Sequence, residues 1–226
     1  MILSFYRELR EVNPGFVGYS EATLKQLIVK TALQLPATRI VDLGSGPNPV
    51  VLFHIHSARP TVDLTAVDLS ADFCNHAREN ASKLTVPLTV VNASVHDTGL
   101  GKGSFDLAIL AETLEHIPDE LERPTLEEAR SLLHPGGHLI VSVPNADSLF
   151  ERYTTWRRGF VDEHPHHLRD YTLDRLSASV EAAGFEVVRR LAVPPPASDG
   201  RVARLLSALP VPARWSLKAA LVARVP

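Results

Sequence analysis

Val41-Asp42-Leu43-Gly44-Ser45-Gly46 reads as the end of a short buried strand, an acid at its carboxyl end, and two glycines at alternate positions. The apolar run starts at Arg39 and is stopped by Gly44-Ser45-Gly46. Glycine takes positive φ and leaves no Cβ between the chain and a ligand, so this loop can lie flat against a nucleoside-like molecule. A dinucleotide would call for G-x-G-x-x-G, with its pyrophosphate on the helix N-terminus. Here Asn48 stands two residues after Gly46, between Pro47 and Pro49, and the acid precedes the glycines. A ligand carrying a cationic amine suits that carboxylate better than a pyrophosphate does. The plainer reading is a tight turn between solvated strand ends.

Outward from this loop, apolar runs alternate with helical patterns. Ser20 to Gln34 has Leu24, Leu27, Ile28 and Thr31 at helical spacing, with Ser20 as a cap. Pro49 to Ala58 predicts a second helix, with proline tolerated in its first turn. Val62 to Val67 predicts a strand, and Ser70 caps a helix running to about Leu84. Leu88 to Val91, Phe105 to Leu110 and His138 to Val143 read as strands; Leu121 to Leu133 reads as an amphipathic helix, followed by a turn at Pro135-Gly136-Gly137. Leu173 to Ala183 is a helix closed by Gly184, and Phe185 to Leu191 is a strand. Strands separated by helices predict right-handed crossovers and a doubly wound α/β sandwich: a Rossmann-like three-layer fold on a mostly parallel sheet. Ligands in such sheets bind at the carboxyl ends of the strands. That directs attention to residues 42–48, 68–70, 92–97, 111–116 and 144–147.

Composition narrows the class. The 226 residues carry 23 Lys and Arg against 26 Asp and Glu, a formal charge of −3, which argues against a broadly cationic nucleic-acid scaffold. Cys74 is the single cysteine, which excludes a disulfide framework or a cysteine zinc site and suits a cytoplasmic setting. No segment is long and apolar enough for a membrane span, and Arg7, Glu8 and Arg10 interrupt any leader-like stretch. The expectation is one domain over 1–226, with an N-terminal helical cap (1–37), a core (38–192) holding an insertion (144–170), and a proline-rich connection into a last strand (193–226). Six of the 17 prolines lie at or beyond Pro194.

The second acid, Asp68, ends the second strand 22 residues beyond Gly46, where a carboxylate can accept both hydroxyls of a ribose. With it the resemblance is plain. Val41 to Gly46, Ala66-Val67-Asp68, Ser104-Phe105-Asp106-Leu107, Glu112 to Asp119, Leu133 to Gly137, Tyr171-Thr172-Leu173 and Glu181 to Phe185 resemble the motif train of class I S-adenosylmethionine-dependent methyltransferases over roughly residues 38–192. The resemblance implies a seven-stranded sheet with an antiparallel last strand, for which Ala220 to Val225 is the candidate. It also implies that Asp42, Gly44, Ser45 and Gly46 surround the methionine and ribose of S-adenosylmethionine. Asp68 would hold the ribose, Leu69 would pack on the adenine, Asn92 and Ala93 would read the adenine edge, and Ala111 and Glu112 would close over the cofactor. Two departures from the usual pattern are Asn48 for a third glycine and Asn92 for an aspartate.

For chemistry, an oxygen nucleophile needs its proton removed by a base or a Lewis-acidic metal. Glu112, Glu115 and His116 stand at i, i+3 and i+4, one face if helical, and two carboxylates with an imidazole suit Mg²⁺ or Mn²⁺. The pattern is similar to the E-x-x-E-H site of metal-dependent small-RNA 2′-O-methyltransferases, whose later histidine matches His167, five residues before Thr172. The alternatives are His116 or His167 as a general base, positioning alone, or a structural turn at Glu115-His116-Ile117-Pro118.

The leading expectation is methyl transfer to a small-molecule acceptor, through oxygen. The alternatives are a metal-dependent RNA 2′-O-methyltransferase and a non-catalytic cofactor-binding subunit. Trp156 to Phe160 reads as a substrate lid or a solvated segment. Tyr19 reads as packing. Arg201 to Arg224, with five basic residues and no acid, packs on the sheet by default. The acceptor's identity and the oligomeric state, a homodimer included, stay open.

Overall fold

The computed structural model describes residues 19–149, 152, 168–193 and 212–226. In chain order these form α1 (Tyr19–Gln34), β1 (Arg39–Leu43), α2 (Val50–Ala58), β2 (Asp63–Asp68), α3 (Ala71–Lys83), β3 (Leu88–Asn92) and β4 (Phe105–Ala111). A one-turn 3₁₀ helix at Leu114–His116 follows, then α4 (Asp119–Leu132), β5 (Leu133–Pro144), α5 (Leu173–Ala182), β6 (Glu186–Ala192) and β7 (Lys218–Arg224). Trp156 to Phe160, His164, His166, His167, Pro194 to Pro196 and the stretch 201–211 lie outside the described residues.

The seven strands make one sheet in the order β3-β2-β1-β4-β5-β7-β6. β1 pairs in parallel with both β2 and β4, and β4 with β5, whereas β7 runs antiparallel between β5 and β6. The strand order therefore reverses at β1, the topological switch point where doubly wound sheets hold ligands. The last strand falls where the sequence places it, starting two residues earlier, at Lys218.

Successive strand residues face opposite sides, so each strand feeds two cores. Val41, Leu43, Leu110, Val141 and Leu221 pack beneath α4 and α5 with Leu126, Ala129, Leu176 and Val180. Ile40, Leu64, Ile109, Ile140 and Val222 pack against Leu24 and Ile28 of α1 and Leu52 and Ile55 of α2. Asp42 has the parity of Ile40 and so lies on the α1–α2 side.

Local signals behave as their chemistry dictates. The Ser70 hydroxyl accepts from the Phe73 N–H at 3.3 Å as the α3 cap, and Gly184, at φ +87°, ends α5. One reading is corrected in detail. Pro135-Gly136-Gly137 does not precede the strand but sits within β5: Phe105 pairs with Leu133 and Leu107 with His138, so residues 134–137 bulge out between two paired ends. A second correction concerns 112–116. This stretch is not an α-helix: Glu112 sits at φ +53° at the end of β4, and only Leu114–His116 make a turn. The one-face argument from i, i+3 and i+4 therefore fails there.

Candidate active site

The loop after β1 is held open by two constraints at Gly44. Its φ is +79°, and a Cβ there would stand 2.5 Å from the Thr113 hydroxyl oxygen. Thr113 lies within hydrogen-bonding distance of the carbonyls of Leu43 (3.3 Å) and Ala111 (3.1 Å), tying the ends of β1 and β4 together. Gly46 takes φ +65° with nothing near its missing Cβ, so its open side faces free space. Its N–H donates to Asp68 Oδ2 at 2.8 Å, while Ser70 N–H donates to Oδ1 at 2.9 Å. Asn48 accepts the Asn80 side-chain amide, fastening the loop to α3.

A cavity of about 180 Å³ opens between this loop and α1. Asp42, Gly44, Ser45, Gly46, Ala111 and Glu112 line it, and so do Glu21 and Lys25 of α1. Asp68, Leu69, Asn92 and Ala93 lie beside it, at the ends of β2 and β3. Leu69 is 74% exposed, and the Asn92 side-chain amide donates to the carbonyls of Asp68 (3.0 Å) and Leu69 (2.8 Å), leaving its oxygen for a ligand. An exposed leucine beside a ribose-height carboxylate suits a flat apolar base.

Asp42 is 7% exposed. Burial pushes its carboxyl up to about 7, Lys25 pulls it down, and Asp68 adds to the rise. Lys25 is also held by Glu21 of its own helix at 2.6 Å. A buried carboxylate beside a cation-bearing helix matches a zwitterionic amino-acid end. Glycine cradle, buried acid and open flank together fit S-adenosylmethionine.

The second acidic centre lies at the ends of β4 and β5. The Glu112 N–H donates to the Ser142 carbonyl (2.9 Å), the Ser142 hydroxyl to Glu112 Oε1 (3.3 Å), and the Lys218 ammonium to Oε2. Glu115 is 1% exposed, and its Oε2 has no hydrogen-bond partner among the described residues. Burial foremost, then the neighbouring Glu112, hold its carboxyl well above the usual range. His116 is exposed at the end of the turn. Among the described residues no three His, Cys, Asp or Glu side chains gather as a metal site, and His167 is not among them. The donor set present does not fit a divalent ion: both Glu112 oxygens are engaged, one by a cation.

Arg169 builds the wall beyond. It pairs with Glu122 and with Asp119 (2.8 Å), donates to the Ile117 carbonyl (2.6 Å) and the Tyr171 hydroxyl (3.1 Å), and its side chain is 3% exposed. Leu168, next in the chain after His167, donates its N–H to the Glu115 carbonyl at 2.8 Å. Sequence reasoning passed over Lys25, Lys218 and Arg169. Lys25 had one local signal, its i+4 spacing from Glu21; Lys218 had none, since only strand order brings it to Glu112.

The strand order, the reversal at β1 and the glycine loop over a buried acid define a Rossmann-like methyltransferase fold. The family model described as a methyltransferase domain matches residues 16–190, and the chain belongs to that family, within the class I S-adenosylmethionine-dependent methyltransferases. It is similar to a ubiquinone biosynthesis O-methyltransferase of Xanthomonas euvesicatoria pv. vesicatoria, 30% identical over 189 residues, covering 80% of this chain and 72% of that protein. A homologue of the same description from Xanthomonas campestris pv. campestris is 30% identical over 170 residues, 73% of this chain and 65% of its own length. In fold it resembles a Burkholderia thailandensis 1,6-didemethyltoxoflavin-N1-methyltransferase solved with S-adenosylhomocysteine, at a TM-score of 0.62, 20% identity, and coverage of 99% and 84%. No helix among the described residues is long and apolar enough to cross a membrane.

Proposed function

We propose that this protein transfers the methyl group of S-adenosylmethionine to an oxygen of a small-molecule acceptor. The observation that carries the reading is the cavity between the Gly44–Gly46 loop and α1, with ionisable Asp42 at its base. Relatives described as O-methyltransferases at 30% identity favour oxygen over nitrogen.

When bound, the cofactor supplies an electrophilic methyl on a sulfonium, and the displacement is in-line, so the protein's task is chiefly proximity and orientation. Asp42 and Lys25 would take the amino and carboxylate ends of the methionine part. Asp68 would hold the ribose hydroxyls, Leu69 would cover the adenine, and Asn92 with Ala93 would meet its edge. The acceptor's proton passes to a histidine of the pair His116 and His167, and the insertion over 144–170 forms the acceptor side.

The expected Mg²⁺ or Mn²⁺ at Glu112, Glu115, His116 and His167 has one observation in its favour, a Glu115 Oε2 without a hydrogen-bond partner among the described residues. It has one against, the Lys218 ammonium on Glu112. The second outweighs the first, because it already supplies the positive charge.

The test is methyl-transfer profiling against a metabolite and RNA panel, with and without chelator, alongside S-adenosylhomocysteine binding by calorimetry. Turnover of a hydroxylated metabolite supports the reading. Cofactor binding without transfer to any acceptor supports the partner-subunit alternative, and transfer to RNA ends supports the RNA enzyme. His116→Ala or His167→Ala, whichever removes the base, lowers kcat by about 10²–10⁴ with cofactor affinity unchanged.

A further inference from the structure

We propose that the Lys218 ammonium is the resident cation of the Glu112–Glu115 pair, a positioning residue that does the charge-balancing work a divalent metal would otherwise do. This rests on the methyltransferase reading for its purpose, not for its geometry.

The placement comes from topology. β7 enters the sheet antiparallel to β5, and its first residue, Lys218, pairs with Pro144 at the end of β5. That puts an ammonium at the carboxyl ends of the parallel strands, the face that carries the cofactor cavity. The entry to β7 is fixed from three sides. The Asn145 side-chain amide donates to the Ser216 carbonyl (2.8 Å), the Val193 N–H donates to the Ser216 hydroxyl (2.9 Å), and that hydroxyl donates to the Lys218 carbonyl (2.7 Å). The lysine stem is thus anchored at its root, and its side chain is only 14% exposed.

The receiving group is equally constrained. Glu112 lies at the cavity wall with its backbone at φ +53°, a conformation that costs a non-glycine residue strain and persists only when its surroundings hold it. Ser142 holds its N–H and Oε1, and Lys218 holds Oε2. Lys218 therefore fixes the carboxylate of a strained residue at the cavity wall. Glu115, three residues further on, is 1% exposed, and its Oε2 is buried with no hydrogen-bond partner among the described residues. The Glu112 carboxylate in this partly buried site needs a countercharge. One fixed ammonium provides it, and a divalent ion brought to the same carboxylates would meet that ammonium's repulsion.

The proposal has a consequence that a plain packing role lacks: without Lys218, the acidic pair becomes a cation site. Mn²⁺ is the probe, read by electron paramagnetic resonance of free ion and by thermal unfolding with Mn²⁺ or chelator. Wild type is expected to show no saturable Mn²⁺ site and one melting temperature in both media. Lys218→Met is expected to bind one Mn²⁺, to melt higher with it than with chelator, and to recover with Mn²⁺ a several-fold loss of S-adenosylhomocysteine affinity. Lys218→Arg, which keeps the charge, should behave as wild type, and Glu112→Gln/Lys218→Met, which removes the ammonium and one of the two acids, should melt alike with and without Mn²⁺.

A wild-type protein that binds one Mn²⁺ as tightly as Lys218→Met does would overturn the proposal. So would a folded Lys218→Met without Mn²⁺ affinity. Should Lys218→Met not fold, Lys218→Gln takes its place, and a saturable Mn²⁺ site in wild type overturns the proposal. S-adenosylhomocysteine binding to wild type is measured in the same samples, so a failure of the methyltransferase reading is seen separately from a failure of the cation assignment.

Discussion

At Gly44 and Asp42, single atoms decide what the loop can do. Gly44→Ala would place a methyl 2.5 Å from the Thr113 oxygen on a backbone at φ +79°, so the β1–β4 tie must shift. The expected cost is about 1–3 kcal/mol of stability together with loss of cofactor binding, read by denaturant unfolding and by calorimetry. Asp42 gives a pH signature. Its folded carboxyl is raised to about 7, against about 3.9 for an unfolded aspartate. Its contribution to stability is therefore full below pH ~3.9 and is lost as pH rises through about 7. Affinity for a ligand with a cationic amine runs the other way, since binding favours the ionised form. S-adenosylmethionine binding should weaken as pH falls below about 7, and Asp42→Asn should bind weakly at every pH with that slope gone. A wild-type profile flat from pH 5.5 to 8.5 would refute the assignment.

Whole elements carry these residues into place. α1 lays Lys25 over Asp42, and Lys25 lowers that carboxyl, so Lys25→Met should move the midpoint of the binding profile upward. Arg169, 3% exposed, joins the start of α4 to the segment before α5. Arg169→Ala would strand Glu122 in a partly buried site, at a cost of about 3–5 kcal/mol in chemical denaturation. Elements were also the scale at which periodicity spoke most clearly. β1, α3, α5 and β6 lie within a residue or so of their predicted bounds, because apolar spacing, the Ser70 cap and Gly184 are local signals. At 112–116 the sequence left two readings open, one metal-binding helical face and a structural turn at Glu115-His116-Ile117-Pro118. E-x-x-E-H spacing is indifferent to whether Glu112 ends a strand or begins a helix, and the bond from its N–H to Ser142 on β5 settles it.

For the molecule as a whole, the sheet order gathers one site from β1, β2, β3, β4 and the last strand. β7 fills the gap between β5 and β6, and deleting residues 212–226 would leave those two strands with unpaired facing edges. That truncation should not fold, as seen by loss of a cooperative melt. The net charge of −3 belongs to this scale too. RNA binding is expected to be absent at physiological salt, and a steep salt-dependent binding curve would reinstate the RNA reading.

The amino-acid sequence by itself determined the layered α/β class, the glycine loop from Asp42 to Gly46 and the acid Asp68 at the end of β2. Each is encoded within a few neighbouring residues, by spacing, by the absence of a Cβ, or by an acid at a strand end. Tertiary structure alone decided that Lys218, 106 residues from Glu112, balances its charge, and that Lys25 lies over Asp42. It also decided that Arg169 locks the wall beside Glu115. Those pairings depend on which strands neighbour one another and which face a helix covers, and no local pattern carries that information.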